Sequence, residues 1–516
     1  MSYSILYPES KDNARNFVSN TTAPEYFKDL HLDQIFGAIL KSEEEYALDR
    51  FFYTPLRDLD SITYRQKIFQ DLENPGIRMP LLDFSKQMNH IGICMAEVRK
   101  KLSSNDTDEN TYLTRGELLD FADRYCRTLE EWIVRMKEIP IGSPGLTAFI
   151  QYGTSYLNSP AYSEFKNRVA KLRKELSEVN YCMLIQNGRI RVRKYEGQSN
   201  LGQEILNVFA KFRQGRVNDY RKEIPEKPYA RHIEAAVLNM VAEWYKPTFK
   251  SLLDFTAKYL DFTDETMMRF AREIRFYLSW LDSIAPLKEM GFPFCYPNLL
   301  TENGHLYNFS GYDLALAKKT KGKVVANDFE LIPPERFIVV TGPNQGGKTT
   351  FARTFGQLHY LSSLGLCVPG KKASLLLFDN ILTHFGREED ITTLNGKLQD
   401  DLIRLKRLLA RTTARSILVI NEIFASTTLR DALFLGGRMM DAIASTGAVG
   451  VCVTFLDELA EHGPETVSMM STVDETNPVI RTFRIVRKPP DGLAYAVHIA
   501  EKHGLTYSQL SKRLRK

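Results

Sequence analysis

Apolar residues in the first three hundred positions recur mainly at steps of three and four. One such series begins with Ile35 and Ile39. The clearest series comprises Leu118, Phe121, Tyr125, Leu129, Trp132 and Met136. This spacing places apolar side chains on one face of an α-helix, and core packing is a better interpretation of such a stripe than a ligand site. Residues 31–300 are therefore predicted to be mostly helical, and the polar residues 1–30 to form an N-terminal tail or docking segment.

The pattern changes at residues 181–195, where two β-prone segments flank Gln186-Asn-Gly188. Asn-Gly between two such segments is the strongest short-range signal for a β-hairpin. The second segment alternates strictly, so Arg189, Arg191 and Arg193 are predicted to share one face. Such a row could lie along a phosphate backbone. The alternative is a solvated strand face whose arginines pair with nearby acids.

Short apolar segments alternate with helical patterns in the last third of the chain. The segments are residues 337–340, 375–378, 416–420 and 449–454, and helical patterns begin near Thr349, Thr393 and Asp431. Such alternation is typical of an α/β domain with a parallel sheet. The predicted fold class is therefore multidomain, α plus α/β, with the α/β domain over residues 301–516.

Residues 342–349 read Gly342-Pro-Asn-Gln-Gly-Gly-Lys348-Thr349 and stand between a predicted strand and a predicted helix. This is the pattern of a P-loop, whose backbone N–H groups and helix N-terminus converge on phosphate oxygens. Lys348 is expected to reach the β- and γ-phosphates, and the Thr349 hydroxyl to hold Mg²⁺. An ordinary glycine-rich turn is the weaker alternative. The predicted nucleoside triphosphate site comprises Gly342, Pro343, Asn344, Gln345, Gly346, Gly347, Lys348, Thr349 and Thr350.

A second apolar segment, residues 417–420, ends in Asn421 and Glu422. A carboxylate at this edge of the sheet can orient or deprotonate the water that attacks the γ-phosphate, so Glu422 is the candidate catalytic residue. A surface glutamate after a core strand is the alternative. Asn421 stands where an aspartate is usual, and its amide oxygen could contact magnesium through water without a negative charge. ATP and Mg²⁺ are the predicted cofactors.

Three segments resemble the ATPase domain of the MutS family of DNA mismatch-repair proteins. They are residues 341–350, 421–431 and 491–500, and residues 54–66 and 325–328 also look like sequences of that family. The resemblance is close over about residues 305–510 and weaker over about residues 30–300. It implies an ABC-type ATPase domain that dimerises, so that each nucleotide site is completed by the partner subunit.

The resemblance implies roles for further residues. Ser426, Thr427 and Thr428 match the family's signature loop, whose hydroxyls would face the γ-phosphate across the dimer. The alternative for this loop is a helix N-cap, and both roles can hold together. Asn344 matches the family's P-loop asparagine, and the pair at residues 400–401 falls where the family carries an acidic residue near magnesium.

Several positions depart from the family's pattern. Asn421 replaces the usual aspartate, and Phe455 stands where the family has a histidine that senses the γ-phosphate. Aliphatic residues near Val324 and Ile485 replace the aromatic residue and the histidine that sandwich adenine. These departures predict slow hydrolysis and leave base selectivity open, while nucleotide binding is still expected.

The resemblance also implies a helical core and lever region over residues 31–300, with a clamp-like insertion around residues 165–220. No Phe-x-Glu wedge occurs in the about 30 residues before it, so we expect a short member without mismatch-recognition and connector domains. The leading hypothesis is a homodimeric ATPase that clamps DNA by shape or backbone contacts. An ABC-type ATPase that remodels a protein or RNA partner, and a nucleotide-gated structural dimer with little turnover, stay open.

Composition adds limits to these hypotheses. The chain has 516 residues and a formal charge of only +5, so a nucleic-acid site would have to be a local basic patch. The six cysteines are scattered without a CxxC pair and are expected to be free thiols of a reducing compartment. Neither a signal peptide nor a long apolar segment is recognised, so a cytoplasmic protein without membrane contact is expected. His384 and His462 are expected to be surface histidines.

Overall fold

The computed structural model describes residues 3–8, 22–103, 111–187, 189–198, 231–386, 396–474, 480–490 and 510–511. The chain divides into two compact units. Unit 1 comprises residues 1–78, 141–146 and 273–516, and unit 2 comprises residues 79–140 and 147–272. The predicted boundary near residue 300 differs from this division, because helical segments on both sides of unit 2 in the sequence belong to unit 1.

The helices of the described residues have the following bounds: α1 (Tyr26–Asp29), α2 (Leu32–Ser42), α3 (Asp49–Phe52), α4 (Leu59–Leu72), α5 (Pro75–Ser103), α6 (Thr111–Lys137), α7 (Pro144–Leu157), α8 (Pro160–Ser177), α9 (Arg231–Trp244), α10 (Lys246–Tyr259), α11 (Glu265–Glu289), α12 (Leu314–Lys319), α13 (Lys348–Ser363), α14 (Lys397–Ala410) and α15 (Leu429–Thr446). Several helices are preceded by an N-cap residue whose side chain accepts a hydrogen bond from a backbone N–H of the first turn. Asp58 precedes α4, Ser159 precedes α8 and Asp313 precedes α12 in this way.

The strands have the following bounds: β1 (Tyr181–Gln186), β2 (Arg189–Lys194), β3 (Phe294–Cys295), β4 (Asn298–Leu300), β5 (Leu306–Gly311), β6 (Asn327–Leu331), β7 (Phe337–Thr341), β8 (Val368–Pro369), β9 (Lys372–Leu376), β10 (Ile381–Phe385), β11 (Ile417–Asn421), β12 (Val449–Val453), β13 (Thr466–Val473) and β14 (Arg481–Arg487). The predicted mixture of a helical region and an α/β region is therefore present in the structure.

Unit 2 is mostly helical and has an aromatic core. The predicted stripe on α6 is confirmed, since Tyr125, Leu129 and Trp132 are almost fully buried. The Trp132 ring centroid lies 5.1 Å from that of Phe149, and Phe149 stacks on Phe270 with an interplanar angle of 8°. The stripe is core packing and not a ligand site.

A six-stranded sheet in the order β10-β11-β12-β7-β13-β14 forms the centre of unit 1. Its neighbouring strands are parallel, except that β14 runs antiparallel to β13. Every residue of β7, β11 and β12 is buried, as expected for parallel strands covered on both faces. Because parallel strands end at the same edge of a sheet, the residues that follow β7 and β11 come together there.

Aromatic packing joins the first helices of the chain to the α/β part of unit 1. The ring centroid of Phe36 lies 6.0 Å from Trp280 and 6.2 Å from Tyr360, which belongs to α13. The sequence pattern could not show this, because these residues are far apart in the chain.

The N-terminal residues 3–7 are buried in unit 1. The buried Arg65 donates hydrogen bonds to the carbonyl oxygens of Leu6 and Leu364. The buried Glu273 accepts hydrogen bonds from the Ser4 hydroxyl and the Ile5 N–H. Residues 3–7 are therefore packed within unit 1 and do not extend from it as a tail.

All six cysteines are free thiols, and Cys126, Cys367 and Cys452 are buried. None of the helices among the described residues is both long and apolar enough to cross a membrane.

Candidate nucleotide site

The loop between β7 and α13 contains left-handed backbone conformations that glycine adopts easily. Gly342 and Gly347 have φ of 103° and 90°, where a side chain would be strained. A Cβ on Gly346 would lie 1.9 Å from the Ser471 hydroxyl oxygen and 3.0 Å from the Pro343 carbonyl oxygen, so a larger residue there would force its neighbours to shift. Gln345 also has a positive φ of 60°. The loop is therefore tightly folded against β13, directly before the N-terminus of α13.

A pocket of about 370 Å³ opens over this loop. Its lining includes the predicted residues Asn344, Gln345, Gly346, Gly347, Lys348, Thr349, Thr350 and Glu422. Leu316, Lys323, Val324, Val325, Asn327 and Phe483 complete the lining. Most of the residues predicted from the P-loop thus line one cavity together with the candidate catalytic glutamate.

Lys348 is almost completely buried at the N-terminus of α13. Its ammonium group donates to the carbonyl oxygens of Gly342 and Pro343, at 2.7 and 3.0 Å. Burial lowers the pKa of Lys348 to about 8, and the nearby carboxylate of Glu422 opposes that shift. The ammonium nitrogen also lies 4.6 Å from the ring centroid of Phe455, a cation–π distance.

The Thr349 hydroxyl donates a hydrogen bond of 2.9 Å to the amide oxygen of Asn421. These two residues come from α13 and β11, and the sheet brings them together at the carboxyl edge of its strands. The next residue, Glu422, is exposed at this edge and has a positive φ of 56°. A left-handed backbone is uncommon for a glutamate, and such conformations concentrate at functional sites.

The loop at residues 426–428 lies at the start of α15. Thr428 caps this helix, since its hydroxyl oxygen accepts a hydrogen bond of 3.2 Å from the Asp431 N–H. Ser426 is exposed. The helix-cap interpretation of Thr428 is therefore confirmed, and Ser426 is accessible to a partner molecule.

His384 is buried, and the expectation of a surface histidine was wrong for it. It lies on β10 and is only 1% exposed, because this strand is covered by α14. Its Nε2 lies 3.3 Å from a carboxylate oxygen of the buried Asp401. Burial raises the pKa of Asp401. His462 is partly exposed, and its Nε2 lies 2.8 Å from a carboxylate oxygen of Asp441.

The hairpin of β1 and β2 carries the predicted arginine row. Arg189, Arg191 and Arg193 are exposed and lie opposite Gln186, Leu184 and Cys182. On the other face, Val192 packs against a buried cluster of unit 2 that comprises Val237, Val241, Ala242 and Phe249. Within the part of the chain that the structure describes, no acidic side chain forms an ion pair with these three arginines. A phosphate-binding row and a solvated strand face both stay open as interpretations.

Sequence reasoning missed Phe483 and Asn327 as pocket residues. Phe483 lies outside the motifs, and the segment at residues 325–328 was noted only for its resemblance, without a role for Asn327. It placed aliphatic residues of the base site near Val324 and Ile485, but only Val324 lines the pocket. Ile485 is buried in β14. The segment at residues 491–500, which carries part of the family resemblance, lies outside the described residues.

Comparison with known proteins agrees with this geometry. The model of MutS domain V matches residues 338–513. The DNA mismatch repair protein MutS of Thermotoga petrophila is 24% identical over 412 residues, which cover 75% of this chain and 48% of that protein. Endonuclease MutS2 of Lactiplantibacillus plantarum is 30% identical over 187 residues, covering 36% of this chain and 24% of that protein.

The chain spans about half the length of the MutS proteins of Thermotoga petrophila and Thermotoga neapolitana that it matches. The similarity to MutS covers about three quarters of the chain and extends well beyond the P-loop domain. The chain is therefore similar to MutS proteins over about three quarters of its length, and its residues 338–513 match the model of MutS domain V.

Proposed function

We propose that the protein is an ATP-dependent DNA-binding ATPase that acts as a dimer. The observation that carries the proposal is the pocket in which Lys348, Thr349 and Glu422 meet within a MutS domain V. A buried lysine, a helix N-terminus and a glycine-rich loop together suit the phosphates of a nucleoside triphosphate. The pocket also extends past the loop to apolar side chains that suit a base.

Mg²⁺ is the metal that this site would suit. The Thr349 hydroxyl would hold it directly, and the amide oxygen of Asn421, 2.9 Å from that hydroxyl, would contact it through water. Mg²⁺ takes few protein ligands in nucleotide sites and keeps several waters. Bound there, it would neutralise charge on the phosphates.

Glu422 is the proposed general base or water-positioning residue. Its exposed carboxylate follows β11 and faces the same pocket as Lys348. Asn421 contributes no negative charge beside it, and Phe455 offers no hydrogen bond to a phosphate. Both features support slow turnover.

DNA is the proposed partner of the exposed arginine row. Arg189, Arg191 and Arg193 extend along one strand, and successive residues on one strand face lie about 6.6 Å apart. This spacing is close to that of phosphates along a DNA strand, so backbone contacts rather than base readout are expected. MutS relatives described as DNA mismatch repair proteins support the same partner.

Dimerisation through the ATPase domains is proposed from the loop at residues 426–428. Ser426 is exposed, and the hydroxyl of Thr427 contacts Asp431 only at the long distance of 3.5 Å. In a dimer of the MutS type, these hydroxyls would complete the nucleotide site of the partner subunit.

The test is DNA binding by the purified protein on linear, mismatched and branched duplexes, at several salt concentrations, with and without ATP. We expect binding that ATP modulates, that falls with salt and that shows no mismatch preference. Replacing Arg189, Arg191 and Arg193 by alanine should weaken binding and reduce the salt slope by up to about three.

The matched control replaces three exposed cations at the C-terminal end of α14 by alanine: Lys406, Arg407 and the C-cap residue Arg411. It removes the same charge and should leave DNA binding nearly unchanged. ATP binding without binding to any DNA would contradict the proposal and favour an ATPase that remodels a protein or RNA partner.

A nucleotide-gated dimer with little turnover is a second candidate, favoured by Asn421 and by the contact between Phe455 and Lys348. The ATPase rate of Glu422→Gln separates the two. A lower rate in the variant supports chemistry at Glu422, and identical low rates support the second candidate.

A further inference from the structure

Phe483 is an exposed aromatic residue in the wall of the nucleotide pocket. Its side chain lines the cavity, and the residue is 48% exposed. A Cβ on Gly347 would lie 3.7 Å from the Phe483 ring carbon Cδ1. The ring therefore lies beside the loop at residues 342–349, called here the phosphate loop. The exposed ring offers apolar surface inside the cavity, and a ligand that covers this surface would gain from its removal from water.

The backbone of Phe483 is strained in a way that sets the direction of this side chain. Its φ is 57°, although it lies within strand β14. Left-handed backbone is a genuine outlier for a bulky residue and persists only where the surroundings hold it. The pairing of β13 with β14 also shifts register between Ser471 and Val473, close to this residue.

Asn327 holds this strained position from the neighbouring strand β6. Its side-chain amide donates to the Phe483 carbonyl oxygen at 3.1 Å, and its amide oxygen accepts from the Ile485 N–H at 2.7 Å. On the other side of Phe483, the guanidinium of Arg481 donates to the Asn344 carbonyl oxygen of the phosphate loop at 3.1 Å. The strand is therefore anchored on both sides of Phe483, and one anchor is the loop itself.

The other apolar residues of the pocket wall indicate which kind of ligand suits the Phe483 ring. Val324, Val325 and Leu316 are aliphatic and line the same cavity. They offer apolar contact to a planar base but no aromatic face, and Phe483 supplies such a face beside them.

We propose that Phe483 stacks on the base of the bound nucleoside triphosphate and favours purines over pyrimidines. The inference rests on the proposed nucleotide-binding function and assigns the base-recognition residue of that site. Purines are favoured because their larger ring system covers more of the exposed phenyl face. Asn327 acts as the positioning residue for Phe483.

The experiment compares Phe483→Ala with the unaltered protein by calorimetric titration of Mg·ATP and of Mg·tripolyphosphate, which has phosphates but no base. Truncating an aromatic side chain that stacks on a base typically lowers the affinity by roughly tenfold. We expect that loss for ATP and no change for tripolyphosphate. Phe483→Trp should retain ATP affinity, and Phe483→Leu should lose most of the difference between ATP and UTP.

Val486→Ala is the matched control, because Val486 is 38% exposed on the same strand and does not line the pocket. Unchanged ATP affinity in Phe483→Ala would overturn the inference and leave the nucleotide site intact. Equal losses for ATP and tripolyphosphate would overturn it as well, because Phe483 would then support the loop. An unaltered protein that binds neither ligand would refute the proposed nucleotide function itself.

Discussion

At the scale of single residues, Lys348 is a buried cation at the proposed phosphate site. Its ammonium group is buried and bonded to two carbonyl oxygens of its own loop. Burial disfavours the charged form and lowers the pKa of Lys348 to about 8. Phosphate oxygens would favour the charged form and raise the pKa again. The protein alone therefore releases this proton at a lower pH than the proposed nucleotide complex does.

This difference predicts that ATP affinity falls as the pH rises through about 8. Above that pH, binding must be accompanied by protonation of Lys348, so the dissociation constant should rise toward about tenfold per pH unit. The phosphates themselves titrate near pH 6 and add little change in this range. Calorimetric titrations at pH 7, 8 and 9 would measure the effect.

Lys318→Met is the control for this prediction. Lys318 is a partly buried lysine whose pKa desolvation lowers to about 8, and it does not line the pocket. The variant should keep the pH dependence, whereas Lys348→Arg should remove it, because arginine stays charged throughout. A flat ATP affinity between pH 7 and 9 in the unaltered protein would show that Lys348 is already protonated without nucleotide.

At the scale of elements, the close approach of β12 to its neighbours depends on Gly450. A Cβ there would lie 2.5 Å from the carbonyl oxygen of Leu418 on β11 and 2.5 Å from a ring carbon of Phe337 on β7. Neither atom is the end of a flexible chain, so the strands themselves would have to separate. These are the strands whose ends carry the phosphate loop and Glu422.

Gly450→Ala is therefore expected to lower the free energy of unfolding of unit 1 by about 2–3 kcal/mol, the cost of overpacking a tight core. Gly37→Ala is the matched control, because nothing lies within 4 Å of a Cβ at that position in α2. It should stabilise the helix by about 0.5–1 kcal/mol. Midpoints of urea unfolding would measure both, and similar midpoints would contradict the strand-spacing argument.

At the scale of the whole molecule, the nucleotide site is proposed to be complete only in a dimer. Glu422→Gln should retain ATP without hydrolysing it and should therefore accumulate as a dimer. Sedimentation velocity with and without Mg·ATP would measure this. We expect the shift from monomer to dimer only when Mg·ATP is present.

Ser426→Arg should prevent that shift while leaving ATP affinity unchanged, since a long cation would stand between the two subunits. Ser445→Arg is its control, because Ser445 is exposed at the opposite end of α15. A protein that binds ATP and stays monomeric at every concentration would rule out the dimeric site.

The local parts of the candidate site could be predicted from the amino-acid sequence alone. Backbone N–H groups can converge on phosphate only in a short loop with glycines, so the segment at residues 342–349 is recognisable without any tertiary information. Glu422 follows a run of apolar residues, and the arginine row follows from strict alternation in a strand. The α/β pattern and the α6 stripe were predictable because hydrophobic periodicity repeats within a few residues along the chain.

Which residues distant in the chain share the pocket depends on tertiary packing and could not be predicted from the sequence. Phe483 enters it because Asn327, more than a hundred residues earlier, holds a strained backbone in place. The buried pair of His384 and Asp401 and the burial of residues 3–7 depend on packing between elements that are remote in the chain. Hydrophobic periodicity reports which face of an element is buried, but not which element covers it, and that choice depends on the complementarity of the assembled core.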